Sequence, residues 1–176
     1  MVAFNHLVPA LILNLTVQSV IPIGSNNIST GGRLILGPIV NGTLESEPGF
    51  ETQINATFSN ADDWPTVDPD GKHERPDLRG LIKTDDDEYL QILAKGIQTI
   101  IPELTQIITG EKELSLPFGA FQSVILVSFR TGTSKYKNLE DGIFVGSETV
   151  KSLGERAFKA GVRISKLYSS KTNITL

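Results

Sequence analysis

Apolar and polar residues alternate with a period of two along most of this chain, which predicts strands rather than helices. Between Leu11 and Ile23, Leu11, Leu13, Leu15 and Val17 stand against Ile12, Asn14, Thr16 and Gln18, the signature of a half-buried strand; Pro22 and the turn SNNISTGGR end it. In RLILGPIVNGTLESEPGFETQINATF, short apolar runs are punctuated by Gly37-Pro38, Asn41-Gly42 and Pro48-Gly49, the spacing of an antiparallel meander or barrel. Further on, ETQINATF sets Thr52, Ile54, Ala56 and Phe58 on one face, and VILVSF is a β-branched and aromatic strand. Asp141-Gly142 signals a second hairpin, and GVRISKLYSS reads as a closing strand.

Two segments read less simply. DEYLQILAKGIQTIIPEL fits a helix through Leu90, Leu93 and Ile97 and a strand through Tyr89 to Leu93. ETVKSLGERAFKAG is expected to form a short helix with Val150, Leu153 and Ala157 inward, weakened by Gly154. Strands dominate, and their regular turn spacing favours an all-β fold. The expectation is one antiparallel β-barrel of calycin or lipocalin type over residues 1–176, with at most one short helix, because closure removes exposed strand edges.

Composition narrows the function classes. At 176 residues the chain suits a single core, and a net charge of −4 provides no basic stripe for phosphates, so no nucleic-acid partner is expected. The absence of Cys excludes thiolate chemistry and disulfides, and two His, His6 and His73, cannot build a multi-histidine metal site. The first apolar run has no basic residues ahead of it and is interrupted by Asn14, Thr16 and Gln18, so it reads as a strand, with neither a signal segment nor a membrane span. The sequons at Asn14, Asn27, Asn41, Asn55 and Asn173 are read as plain composition, and a cytoplasmic location is expected.

The candidate chemistry concentrates between Asn60 and Gly96, which holds eight of the nine Asp and the only Trp. As a strand, DLRGLIKT puts Asp77, Arg79, Leu81 and Lys83 on one face, so Asp77 and Arg79 are able to pair. Inside a barrel the pair would hold a cation for a ligand oxygen; outside, it would be a surface salt bridge. Asp63 beside Trp64 suits a planar ligand stacked next to an acid or base, or equally a Trp packed over the barrel rim. His73 adds an imidazole on a Pro- and Gly-rich loop. Arg130 and Tyr136 offer a second cation and a phenol at the end of a strong strand. Asp68, Asp70 and Gly71 begin like a calcium loop but lack the later ligands, so a turn explains them; Asp85 to Asp87 read as a hairpin tip.

The order of short motifs resembles the domain-of-unknown-function 3237 family. Those motifs are Ile23-Gly24, Gly31 to Arg33, Gly37-Pro38, Asp63-Trp64, Asp70-Gly71, Asp77 with Arg79, Thr84 to Asp86, and Tyr136 with Leu139. The resemblance implies a closed or nearly closed barrel, usually an oligomer, without metal or organic cofactor, and it implies strand rather than helix over Glu88 to Gln98. Fungal members of the family are associated with polyketide gene clusters, where at least one is a cyclase that adds a hydroxyl across an alkene. The chain departs from the family pattern at Asp87, Asn138 and Glu140, near the expected barrel mouth.

These readings together predict a cofactor-free cyclase of fungal secondary metabolism acting on an aromatic, phenolic substrate. Asp63, Asp77, Arg79 and Tyr136 are the catalytic candidates. Trp64, His73, Lys83 and Arg130 are the substrate-binding candidates. A non-catalytic binding barrel, and a binding surface outside the barrel, are the alternatives.

Overall fold

Alternation of inward and outward side chains builds the architecture of this computed structural model, which describes residues 4–170. The sequon at Asn173 lies outside the described residues. In chain order the strands are β1 (His6–Val17), β2 (Ile21–Pro22), β3 (Arg33–Ser46), β4 (Asn55–Asp63), β5 (Thr66–Val67), β6 (His73–Arg75), β7 (Asp77–Thr84) and β8 (Tyr89–Thr99). Helix α1 (Pro102–Thr109) follows, then β9 (Ser115–Leu116), β10 (Ser123–Arg130), a 3-10 turn at Ser134–Tyr136 running into α2 (Lys137–Glu140), β11 (Phe144–Gly154) and β12 (Ala157–Tyr168). Eight long strands close a ring in the order β1, β12, β11, β10, β8, β7, β4, β3 and back to β1, every pair antiparallel. The short strands β5 and β6 bridge β3 to β8 across one end.

The expected all-β barrel is therefore what forms, and β8 covers the segment for which helix and strand competed. The helix expected around Val150 to Ala157 is instead a hairpin between β11 and β12. Its turn places Gly154, Glu155 and Arg156 at φ of 82°, 51° and 67°, and the period-two burial of Phe144, Gly146 and Val150, then Phe158, Ala160 and Val162, prevails over helical spacing. The hairpin expected at Asp141-Gly142 is likewise a helical connection through α2. The longer helix lies at α1, where Pro102 suits a first turn, Gly110 at φ 75° ends it, and Leu104 and Ile107 are buried.

The two barrel ends differ. At the end where β3 passes to β4, Phe50, Phe129 and Phe144 stack edge to face at centroid separations of 6.3 and 5.7 Å, with Leu139 and Tyr136 buried beside them. Each such side chain taken out of water contributes about 1.5–3 kcal/mol, so this end is a packed core. Ion pairs from Arg163 to Glu47 and Lys166 to Glu51 fasten the β3–β4 loop onto β12. The opposite end is hollow. There a register shift in the β1–β3 pairing skips Val40, which is 52% exposed, and resets the phase of β3 so that Ile35, Gly37 and Ile39 face inward. Helix α1 packs across this end against β11 and β12. No helix among the described residues is long and apolar enough to cross a membrane.

Candidate active site

The hollow end encloses a cavity of about 90 Å³ whose wall is mostly aliphatic, with Leu13, Leu15, Val127 and Val162 among its lining. Polar residues enter this wall at a few inward positions. On β8 the inward row Leu90, Ile92, Ala94, Gly96 ends in Gln98; on β10 the row Phe129, Val127, Ile125 ends in Ser123; on β11 the row Phe144, Gly146 continues with Glu148 before Val150. Glu74 on β6 lies opposite Gln98, and Ser123 on β10 is opposite Gln98 from the other side. Gln98 Nε2 donates to Glu74 Oε1 at 2.8 Å, and Ser123 Oγ donates to Glu148 Oε2 at 3.2 Å. Gln98 Oε1 is buried and has no partner. Asp63, at the end of β4, completes the set and accepts the Asp77 backbone N–H on Oδ1 at 2.9 Å.

Three carboxyls in one apolar chamber cannot all ionise cheaply. Burial pushes Glu148 up to about 8, with the charges of Asp63 and Glu74 adding to it and the Ser123 hydrogen bond opposing it. Burial likewise pushes Glu74 up to about 7, helped by Asp63 and opposed by Gln98. Asp63 is raised to about 6, again chiefly by burial, while the Asp77 and Trp64 backbone amides favour its charged form. Of the three, Asp63 gives up its proton most readily and Glu148 holds its proton most tightly, an ordering that suits a base and an acid in one site.

A vestibule of about 350 Å³ adjoins the chamber and shares Ile35, Glu74, Leu104 and Ile108 with it. Its outer wall is formed by the loop after β2, the start of β3 and one side of α1. Glu74 therefore stands at the junction of the two spaces.

Of the eight site residues expected from sequence, Asp63 lines the chamber. Trp64, Asp77 and Arg79 come together, but in a hollow on the outer face of the barrel, where the Arg79 side chain is 63% exposed. Partial burial works against ionisation of Asp77, but its hydrogen bonds from Lys95 and Arg79 outweigh this and hold its carboxyl below the usual range. Lys83 pairs with Asp87 at 2.6 Å at the far tip of the β7–β8 hairpin. Arg130 is exposed where β10 ends, near the packed end of the barrel. His73 is half-buried at the start of β6, its carbonyl accepting from Asp68 N. The Tyr136 hydroxyl donates to Asp86 Oδ1 at 2.6 Å beside Lys135, which with Tyr136 holds the Asp86 carboxyl far below its ordinary value. This cluster ties the β7–β8 tip to the β10–β11 connection. Tyr136→Phe is expected to cost about 1 kcal/mol in a urea titration, the worth of one hydrogen bond, and to leave ligand binding at the hollow end unchanged.

Glu74, Glu148, Gln98 and Ser123 were not among the sequence expectations, which followed the density of acidic residues. The signal for three of them is phase: each is a polar residue on the inward beat of an otherwise apolar alternation. Glu74 carries no such signal, since β6 is three residues long. Among the described residues no group of three or more His, Asp or Glu has the arrangement to hold a metal ion.

The model of the family described as "Protein of unknown function (DUF3237)" matches residues 5–166. No curated protein matches the sequence. Among solved structures, the barrel is similar to a protein with unknown function from Clostridium acetobutylicum at 23% identity and TM-score 0.71, covering 93% of this chain and 99% of that one. It is also similar to a beta-barrel like protein from Acinetobacter baumannii, at 24% identity and TM-score 0.63, over 93% of this chain and 96% of the other. An enzyme from Penicillium herquei is 17% identical with TM-score 0.59, over 96% of this chain and 98% of its own. At these identities the likeness is one of fold.

Proposed function

We propose that this chain, which belongs to the DUF3237 family, is a cofactor-independent cyclase that adds a substrate hydroxyl across an alkene of an aromatic polyketide, closing an oxygen ring in secondary metabolism. The observation that carries the reading is the placement of three carboxyls, Asp63, Glu74 and Glu148, in the wall of one mostly aliphatic chamber, where burial raises the hold of each on a proton to a different extent. Ring closure by hydroalkoxylation needs a proton given to one atom and a proton taken from another, with no electrons gained or lost.

In this reading Glu148 is the general acid. Ser123 donates to its Oε2, leaving Oε1 to carry the proton, which passes to an alkene carbon as the π bond breaks. The substrate hydroxyl oxygen bonds to the adjacent, electron-poor carbon, and Asp63 takes the hydroxyl proton. The products are an isomer of the substrate, a protonated Asp63 and an ionised Glu148; transfer of the proton back to Glu148, directly or through water, resets the site. Gln98 Oε1, lacking an internal donor, supplies an acceptor for a substrate hydroxyl, while its Nε2 is fixed by Glu74. The aliphatic wall excludes water that would otherwise capture the electron-poor carbon. Fixing hydroxyl and alkene within one chamber removes much of the entropic barrier, worth several kcal/mol in well-oriented closures.

Incubation of the protein with phenols bearing an ortho alkenyl arm in deuterium oxide tests this directly. The expected product is a ring-closed isomer with one carbon-bound deuterium and optical activity. Saturable binding of such phenols without any isomer formed would instead support the second reading, a non-catalytic binding barrel, for which the unpartnered Gln98 Oε1 in an apolar chamber is equally suited.

A further inference from the structure

The chamber and its vestibule carry an asymmetry of charge that bears on what can enter. The chamber is lined by Asp63, Glu74 and Glu148 and by no Lys, Arg or His, so an anionic group is repelled from it. Across the residues lining both spaces the cation is Arg33, in the vestibule wall. Strand periodicity puts it there: Arg33 shares a face of β3 with Ile35, Gly37 and Ile39, which line the chamber, and is itself exposed at the mouth. The turn before it is tightly built. Gly31 sits at φ 89°, and a Cβ on Gly32 would come within 2.7 Å of the Val67 carbonyl oxygen, so the backbone that carries Arg33 is packed down on β5. Arg75, Arg79 and Arg163 are each satisfied by a carboxylate, whereas Arg33, like Arg130 and Arg156 elsewhere on the barrel, has no ion pair among the described residues. Ser25, Asn26 and Thr105 line the vestibule beside it.

We propose that Arg33 is a specificity-determining residue that binds an anionic oxygen of the substrate, a phenolate or carboxylate, in the vestibule and so directs the neutral, hydroxyl- and alkene-bearing end into the acid-lined chamber. This rests on the proton-transfer reading for its account of what the inner end undergoes, but not for the binding itself. Attraction at the mouth and repulsion within act on the same anion in opposite places, so together they fix which end of an amphiphilic substrate goes in first. A guanidinium suits the task because its planar donors grip two oxygens at once.

Three probes built on a naphthalene ring, with binding followed by isothermal titration calorimetry, separate the terms: 2-naphthoate, 4-nitro-1-naphthol, which is largely a phenolate at pH 7, and neutral 2-naphthylmethanol. The expected result is that Arg33→Gln weakens binding of at least one anionic probe about tenfold and the alcohol less than twofold, with Arg33→Lys partly restoring it. The anion affected more assigns carboxylate or phenolate as the preferred group. Anion affinity should also fall as salt is raised while alcohol affinity holds. Equal losses for all probes, no loss in Arg33→Gln, or failure of every probe to bind the unaltered protein would overturn the proposal. The two readings fail separately: turnover that survives Glu148→Gln removes the catalytic assignment and leaves the Arg33 result standing, whereas unselective probe binding with turnover abolished in Glu148→Gln removes the Arg33 assignment alone.

Discussion

Glu148→Gln is expected to lower ring closure at pH 7 by about 10²- to 10⁴-fold, the usual loss when a positioned general acid is removed. Gln keeps the volume and accepts the Ser123 hydroxyl as Glu148 does, so the barrel and the apolar wall are retained, but its amide has no proton to give an alkene carbon. Glu148→Asp keeps an acid but withdraws it by one methylene and should retain more activity than Gln. The acid works below about 8 and its partner base, Asp63, above about 6, so turnover in the unaltered protein should be greatest between those limits. Asp63→Asn should remove the rising, acidic limb, and Glu148→Asp should displace the falling one. The measurement is product formation under saturating substrate from pH 5 to 9, with circular dichroism to confirm folding. Turnover within threefold of the unaltered protein in folded Glu148→Gln would show that the chamber acid does not supply the proton.

The barrel is legible because its information is local and repeated. Leu11, Leu13, Leu15 and Val17 alternate over four beats, and VILVSF alternates again in β10, so a strand reading survives single errors. The β11–β12 hairpin shows where locality fails. Val150, Leu153 and Ala157 have helical spacing, yet Val150 pairs with Leu116 of β9 and Ala160 of β12, Ala157 pairs with Gly154, and three successive residues accept positive φ to make the turn. The site was legible only in part for a related reason. Asp63 with Trp64 and Asp77 with Arg79 are two close pairs in sequence that β4–β7 pairing brings together, but a strand end puts Asp63 inside the barrel and its companions outside. DLRGLIKT fixed which residues share a face; it carried no sign of which face was wet, since Leu81 shares the exposed face with Arg79. Glu148 and Glu74 are remote from each other along the chain and meet through closure of the barrel, which no local pattern encodes.

Stability should fall from mildly acidic to alkaline pH, and Glu148→Gln should flatten that fall. A carboxyl whose proton is held more tightly in the folded chain than in the unfolded one binds more protons when folded, so the stability of the folded state declines as pH rises between the two values. For Glu148 that interval runs from its ordinary 4.5 to about 8, for Glu74 from 4.5 to about 7, and for Asp63 from 3.8 to about 6. The decline therefore begins near pH 4 and is complete above pH 8. At about 1.4 kcal/mol per unit of displacement, Glu148 alone accounts for a loss on the order of several kcal/mol, shared in practice among three groups that repel one another. Asp86 and Asp77 act in the opposite sense: their carboxyls are held below the usual range, so their contribution is lost as pH falls below about 4, which places greatest stability near pH 4 to 5. Urea unfolding at constant ionic strength from pH 4 to 9 measures this. Glu148→Gln should be no more stable than the unaltered chain at pH 5 and more stable at pH 9, because it removes the charge that the chamber resists. A parallel pH dependence in the two proteins, or greater stability of the unaltered chain at pH 9 than at pH 5, would mean that Glu148 ionises without penalty and that the chamber is wetter than its aliphatic lining implies. The same penalty that destabilises the barrel at high pH keeps an acid protonated at neutral pH, so the stability measurement and the turnover measurement examine one physical cause by independent means.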